Sequence, residues 1–528
     1  MEDDGSDHSE SLLPPPAEPN VKRRQSLGRH DALHVSRTVY LFAACAAWNS
    51  IILGFDFGVS TLSVLMVQKT LSLSNAQISA YMASLDLFAM VGSALASLIN
   101  DRFGRRGCFY ATSFGFIFGD LIQAAAQSYA TLMVGRAILG VSIGFGLAID
   151  PMYIAEISPE NVRGYLVSWS ECAINVGLVF GMASGLIFYN TPSNVAWRFM
   201  YGTGAVLPLV MLCLITCCMP ESPRYLLQKG RDEEAHRILA RLYPHQEHNV
   251  EVLAQEIKEA MANEEAANDL SWSFLLCRPT PAYRRMLVAG VVAGISQQVV
   301  GISAVGAFSV YVLDANGVTD RFWQALTLMG IYIMKTLVTI LSSWLLLDSW
   351  GRRKVSFLSI GGIIISLLIL AFNAHISSSS SAALATTGLL LYMIFFGVGM
   401  GPVAWLMPSE VFSTKIRAKG VSIATFSNRT ISTIYASSFL LVSDAVSWSG
   451  AFLGLVLMCT IMFALFYAFV PETKGKTLED MVVFFAELTD DRSILDCQDN
   501  NVTAASNSAA SADEEIEGST SGSNSIIV

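Results

Sequence analysis

The stretch from Asp101 to Arg106 reads DRFGRR, and 247 residues later Asp348 to Arg353 reads DSWGRR. Two further strings repeat at almost the same distance and in the same order. Glu156 precedes Arg163 by seven residues, and Glu410 precedes Arg417 by seven, 254 residues further on. PESPR begins at Pro220 and PETKGK at Pro471, an offset of 251. Three strings sharing an offset near 250 describe a duplicated chain whose halves run in parallel. In membrane carriers built this way, the substrate site is expected between the halves, near the bilayer midplane.

The residues between the repeats supply the membrane. Of 528 residues, 53% are hydrophobic and 14% charged, and the mean hydropathy is +0.49. Soluble domains carry about 25% charged residues. This composition excludes a soluble enzyme, a nucleic-acid binder and a disordered scaffold. Run length is the signal here, because a helix in lipid can be apolar all round and a bilayer takes ~20 residues to cross. Twelve spans are expected, at 38–62, 77–99, 107–127, 130–154, 164–188, 197–219, 286–311, 322–347, 355–374, 384–407, 420–443 and 448–470. The fold class is all-α: a polytopic membrane protein of two pseudo-symmetric six-helix halves.

Charge orients the spans. Of 33 lysines and arginines, 27 fall on one side, three (Lys69, Arg198, Arg321) on the other, and three (Arg136, Lys335, Arg429) inside spans. The positive-inside rule then puts both termini in the cytoplasm. The domains expected are a tail at 1–37, a six-helix half at 38–219, a helical cytoplasmic linker at 220–285, a second half at 286–470 and a tail at 471–528. That tail reads as disordered from about 487, where 487–528 holds nine acids and one base, Arg492, and so most of the net charge of −10. The nine cysteines lie mostly in apolar runs, and no Cys/His spacing suits zinc. No metal or cofactor is expected.

The repeated strings sit at the cytoplasmic ends of spans. Asp101, Arg105, Glu156 and Arg163 place alternating charges on neighbouring helix ends, and Asp348, Arg352, Glu410 and Arg417 do the same in the second half. Such pairs can lock the inner side while a cavity opens outward and break when it opens inward. An isolated basic residue there would need no explanation beyond the positive-inside rule; matched Glu and Arg in both halves do.

DRFGRR, GRAILG, PESPR, QQVVGI, DSWGRR, PSEVF and PETKGKTLE, in this order from about Arg37 to Glu479, resemble the sugar porter family of the major facilitator superfamily. SWSECAINVG at Ser168–Gly177, MKTLVTI with Lys335 and FSNRTIS with Asn428-Arg429 are similar to plant-type polyol and monosaccharide proton symporters. The chain departs from the sugar porter pattern at Ser303, where asparagine is common, at Gly306-Ala307-Phe308, where Met-Tyr-Tyr is usual, and at Met400, a tryptophan in some relatives.

The resemblance implies proton-coupled transport of a hexose or polyol by alternating access, with an uncoupled facilitator of the same fold as the alternative. An enzyme is not expected, for there is no nucleotide loop, metal cluster or nucleophile motif; a monomer without a nucleic-acid partner is expected, in the plasma membrane rather than an organelle. The resemblance also implies that Asp56 and Arg136 form a proton switch, ion-paired when the acid is deprotonated. Elementary cost agrees that such residues work: a charge at the bilayer centre costs roughly 2.5–3.5 kcal/mol on insertion scales. Gln297 and Gln298 both donate and accept, as a sugar hydroxyl does. Ser303 and Asn428 stand beside them as candidate contacts, and Phe308 and Trp405 offer rings to a sugar face. Glu171 accepts sugar hydroxyls or carries a second titratable charge; Lys335 and Arg429 either touch substrate or pair with acids such as Glu171.

Overall fold

The computed structural model describes residues 36–244, 250–267, 272–373, 381–413, 416–476 and 478–491. The tail before residue 36 and the acidic segment 492–528 lie outside the described residues. Among those described there is helix and no strand.

Span 1 is Arg37–Leu71, started by Ser36, whose hydroxyl accepts from the Thr38 amide. Spans 2 and 3 run as one chain of helix, Asn75–Ala125, broken at Gly104. Its start is a capping box in which Ser74 and Gln77 each accept from the other's backbone amide. Span 4 is Tyr129–Ile157, span 5 Glu160–Ile187, and span 6 the pair Ser193–Gly204 and Leu207–Cys217. Four helices occupy the connection that follows: Pro223–Gln228, Asp232–Leu242, Val250–Ala267 and Trp272–Cys277.

Span 7 comes in three pieces, Pro281–Val299, Ile302–Ala307 and Ser309–Ala315. It breaks at Gly301, whose φ of +94° suits glycine. Span 8, Arg321–Leu341, continues through a π turn at Ser342–Leu346 into Leu347–Trp350. Span 9 is Arg352–Asn373. Span 10 is Ser381–Phe395 joined by a π turn, Phe396–Met400, to Gly401–Val411. Spans 11 and 12 are Arg417–Val446 and Trp448–Phe469. Among the described residues, ten helices are long and apolar enough to cross a membrane by length and composition; spans 3 and 11, which carry Asp120 and Asn428-Arg429, are outside that measure.

Helix continues past 487, where disorder was expected to begin: Leu478–Thr489 is helical and packs Met481, Val482 and Phe485 against Tyr283, Met286 and Phe412. Its apolar stripe at positions 481, 482, 485 and 486 overrides the acidic composition around it.

The two halves meet along span 2 with span 11, span 5 with span 8, and span 1 with span 7. At the end away from the repeated motifs the seam is stitched shut. The Tyr311 hydroxyl donates to Gln68 at 2.6 Å, Asn75 donates to Asp444 at 2.5 Å, and Arg321 donates to the carbonyls of Tyr189 and Thr191 at 2.8 and 3.1 Å. At the motif end a ring pair, Tyr165 with Trp344, 6.0 Å between centroids, spans the two halves.

Candidate functional site

The repeated motifs build the same joint twice. Gly104 has φ +79° and ψ 178°, a region open essentially to glycine alone, and a Cβ there would lie 2.5 Å from a Glu221 carboxylate oxygen. That carboxylate accepts from the backbone amides of Arg105 at 2.9 Å and Arg106 at 3.3 Å, the first free donors of span 3. Gly351, with φ +90° and ψ 156°, repeats the geometry: Glu472 accepts from the amides of Arg352 and Arg353 at 3.0 and 3.1 Å. Burial pushes the Glu221 carboxyl up from its ordinary value, and the amides of Ser222, Arg106 and Arg105 pull it back. PE in both PESPR and PETKGK is thus a helix cap delivered from the end of the half. Their role as helix caps is not legible in the strings themselves.

The charge pairs follow. Arg105 donates to both oxygens of Glu156 at 2.8 and 2.5 Å, and Arg352 donates to Glu410 at 3.3 and 3.0 Å. Each pair lies within its own half, so by itself it sets the shape of one half's motif end and does not join the two. Arg163 donates to the Ser158 carbonyl at 3.5 Å, while both oxygens of Glu156 accept from Arg105. Arg417 sits at the start of span 11, and Asp101 and Asp348 lie on helices with side chains outside the described ones.

A polar chain crosses the centre of the second half. The Gln297 amide donates to the Gly401 carbonyl at 3.3 Å, where the π turn of span 10 ends. Asn428 donates to Gln297 at 3.2 Å and accepts from Gln298 at 3.3 Å. The Ser303 hydroxyl lies 2.6 Å from both Gln298 Oε1 and the Ser432 hydroxyl. The chain then crosses to the first half, for Ser432 donates to Asp86 at 2.7 Å.

Asp86 also binds Arg429 at 3.2 Å. This ion pair joins spans 2 and 11 of opposite halves, and neither member is as much as a tenth exposed. The carboxylate that Arg429 contacts directly is Asp86, not Glu171. Glu171 stands within electrostatic reach of both Lys335 and Arg429, Lys335 lies 5.2 Å from the Phe396 ring centre, and Arg429 stands over Trp405 at 5.6 Å. Glu171, Lys335, Arg429, Asp86 and Trp405 therefore gather at the seam. Phe308 does not: it is fully buried between Tyr311 and Phe439, at 5.8 and 6.1 Å, as part of the packed core.

The first half encloses a second cluster. Asp56, Asp120 and Arg136 all have 0% exposure. Arg136 stacks on the Tyr81 ring at 3.9 Å and donates to Ser60 at 2.9 Å. Tyr81 and Tyr201 share a hydrogen bond of 2.5 Å, and Ser63 donates to Tyr201 at 3.1 Å. Asp56 and Arg136 are neighbours, as the resemblance implied, but no hydrogen bond joins them: both oxygens of Asp56 are without a partner. The ring of Tyr81 and the hydroxyl of Ser60 hold the guanidinium instead. Asp120, absent from the sequence-derived site, lies against Asp56. Its signal was an acid inside an otherwise apolar run, GFIFGDLI.

Residues 42–485 match the family described as sugar (and other) transporter. Polyol transporter 5 of Arabidopsis thaliana is 34% identical over 471 residues, covering 85% of this chain and 87% of the relative. The glucose transporter GlcP of Staphylococcus epidermidis is 30% identical over 451 residues, covering 85% and 98%. The inward open xylose transporter XylE of E. coli superposes with a TM-score of 0.72 at 24% identity, covering 84% of this chain and 99% of that one. With its duplicated motifs, twelve spans in two halves and a match across most of its length, the chain belongs to the sugar (and other) transporter family and has the major facilitator fold.

Proposed function

We propose that the chain carries a neutral monosaccharide or polyol across a membrane together with a proton, by alternating access between its two halves. The observation that carries this reading is the first-half cluster: a carboxylic acid with 0% exposure and no hydrogen-bond donor, next to an equally buried arginine. A static structural pair would be closed by direct hydrogen bonds; an acid that exchanges a proton must be free to lose its partner. The relatives support the cargo, being named as polyol and glucose transporters, and a solved relative of the same fold is described as a proton:xylose symporter.

Gln297, Gln298, Ser303 and Asn428 bind sugar hydroxyls, their present mutual hydrogen bonds being exchanged for bonds to the substrate. Trp405 offers a ring to the sugar face. Asp56 takes the proton, and Arg136 compensates its charge once the proton leaves. The motif end faces the cytoplasm, consistent with 27 of 33 basic residues lying on that side. The stitched opposite end then makes this the inward-facing state, with the latches Arg105–Glu156 and Arg352–Glu410 rearranging between states. The membrane is the plasma membrane and the working unit is a monomer.

One positive charge moving inward releases ~2.3 kcal/mol at ~100 mV. One unit of pH gradient adds ~1.4 kcal/mol. Together they sustain a substrate gradient on the order of 500-fold. The test is Asp56→Asn in proteoliposomes with D-glucose, D-xylose and D-sorbitol. Accumulation and substrate-induced alkalinisation should vanish while exchange at equal concentrations persists. Protonophore-sensitive accumulation by Asp56→Asn would remove Asp56 from the mechanism. Uptake by the parent without any pH dependence would make it an uncoupled facilitator.

A further inference from the structure

We propose that Asp120 is a second proton-carrying carboxyl, sharing a single proton with Asp56 beside Arg136. This rests on the proton-coupled reading above and adds a residue that reading does not use.

Two observations place Asp120 at the coupling site. It lies against Asp56. At the seam of spans 1, 3 and 6, a Cβ on Gly204 would come within 2.6 Å of Asp120 Oδ2 and 3.2 Å of the Phe55 ring, so the absence of a side chain at 204 is what admits the carboxyl there. Phe55 precedes Asp56 on span 1.

None of the four oxygens of Asp56 and Asp120 has a hydrogen-bond partner. A buried acceptor left this way costs the desolvation of the group, and a buried bare charge costs far more. A proton on one carboxyl supplies the missing donor, because a protonated acid donates and its neighbour accepts. Charge leads to the same number. The charged group acting on the pair is Arg136 from span 4, itself held by Tyr81 from span 2 and Ser60, with Tyr201 from span 6 and Gln123 bonded to Tyr81. A phenol carries no charge near neutral pH, so Arg136 contributes the one positive charge. Two bare carboxylates leave the buried cluster at −1, one shared proton makes it neutral, and two protons make it +1. The neutral state is the one burial favours.

Release of the shared proton is then a transition from neutral to −1 for the cluster, in place of breaking an Asp56–Arg136 pair. Without Asp120, Asp56 and Arg136 are already neutral with no proton, and binding one must create a net charge. Carboxyls this close titrate as a unit, so removing one shifts the affinity of the site by about tenfold or more.

The experiment uses the full-length protein and two readouts. The first is the pH dependence of uptake in proteoliposomes for whichever of D-glucose, D-xylose and D-sorbitol the parent accepts. The second is infrared titration, without substrate, of the carbonyl stretch of protonated carboxyls. In Asp120→Asn and Asp120→Ser, both midpoints should move to acid by about one pH unit, a tenfold weaker proton affinity. Asp120→Ser is the smaller variant beside Gly204 and serves if Asp120→Asn fails to give monodisperse protein. Unchanged midpoints in a variant that melts like the parent would overturn the inference while leaving Asp56 as the coupling acid. A parent whose uptake ignores pH, but whose infrared midpoint still shifts on replacing Asp120, would retain the shared proton and overturn the coupling reading instead.

Discussion

Asp86→Ala should move this protein out of the state described here. The Asp86–Arg429 pair, 3.2 Å long, links span 2 to span 11, and the second oxygen of Asp86 accepts from Ser432. Removing one member of a buried ion pair typically costs about 3–5 kcal/mol, because the other charge is left uncompensated. Arg429 keeps two partial substitutes, the Trp405 ring at 5.6 Å and the nearby Glu171, so the lower end of that range applies. The pair joins different halves, and its loss therefore falls on the conformation that brings them together there, while each half keeps its own core. About 3 kcal/mol is a shift of roughly 150-fold in the ratio of two states. Asp86→Asn, which keeps an acceptor for Ser432 and Arg429, should shift less. The assay is electron–electron distance measurement between spin labels on exposed residues at the stitched end, Ser193 in one half and Thr319 in the other. The parent should give the short-distance population, and Asp86→Ala should populate a longer one. An identical distance distribution in parent and Asp86→Ala would refute the argument that this pair holds the halves together.

Three further outcomes are expected. Gly351→Ala should destabilise by about 1–3 kcal/mol from backbone strain alone, and more through displacement of Glu472, read as a drop in melting temperature; Gly361→Ala, where a Cβ meets nothing within 4 Å, is the control that should not fall. Gln298→Ala should raise the apparent KM for transport by more than the ~1 kcal/mol of an average hydrogen bond, since Ser303 and Asn428 each lose one of their partners and the substrate loses a paired donor and acceptor; unchanged uptake kinetics would take the glutamine out of the site. Glu156→Gln or Glu410→Gln should change the inward-to-outward ratio in two-sided accessibility labelling while expression persists, and equal labelling would leave these pairs a purely structural role.

Periodic duplication, run length and the bias of basic residues are properties of the chain itself, and they sufficed for the twelve spans and the two halves; the family came from the resemblance of motif strings such as QQVVGI and PETKGKTLE. DRFGRR and DSWGRR work by local backbone geometry at Gly104 and Gly351, so their importance is legible wherever they occur. The repeat marked the charged residues of each inner motif, but the pairing of Arg105 with Glu156 and Arg352 with Glu410 comes from the structure. Gln297, Gln298, Ser303 and Asn428 do come together, since polar side chains in apolar helices find one another.

Partnership across the bundle was not legible. A helix in lipid carries no strong polar face, so sequence does not say how it is rotated about its axis; the packing of its neighbours does. That rotation gives Arg429 to Asp86, places Asp120 against Asp56, turns Arg163 to a backbone carbonyl and buries Phe308 in an aromatic core. The sequence by itself determined which residues are charged, where the chain crosses and that it does so twice in the same way. Only the tertiary structure decided which charges meet, because those contacts depend on helices far apart in the chain being pressed together at one depth and one angle.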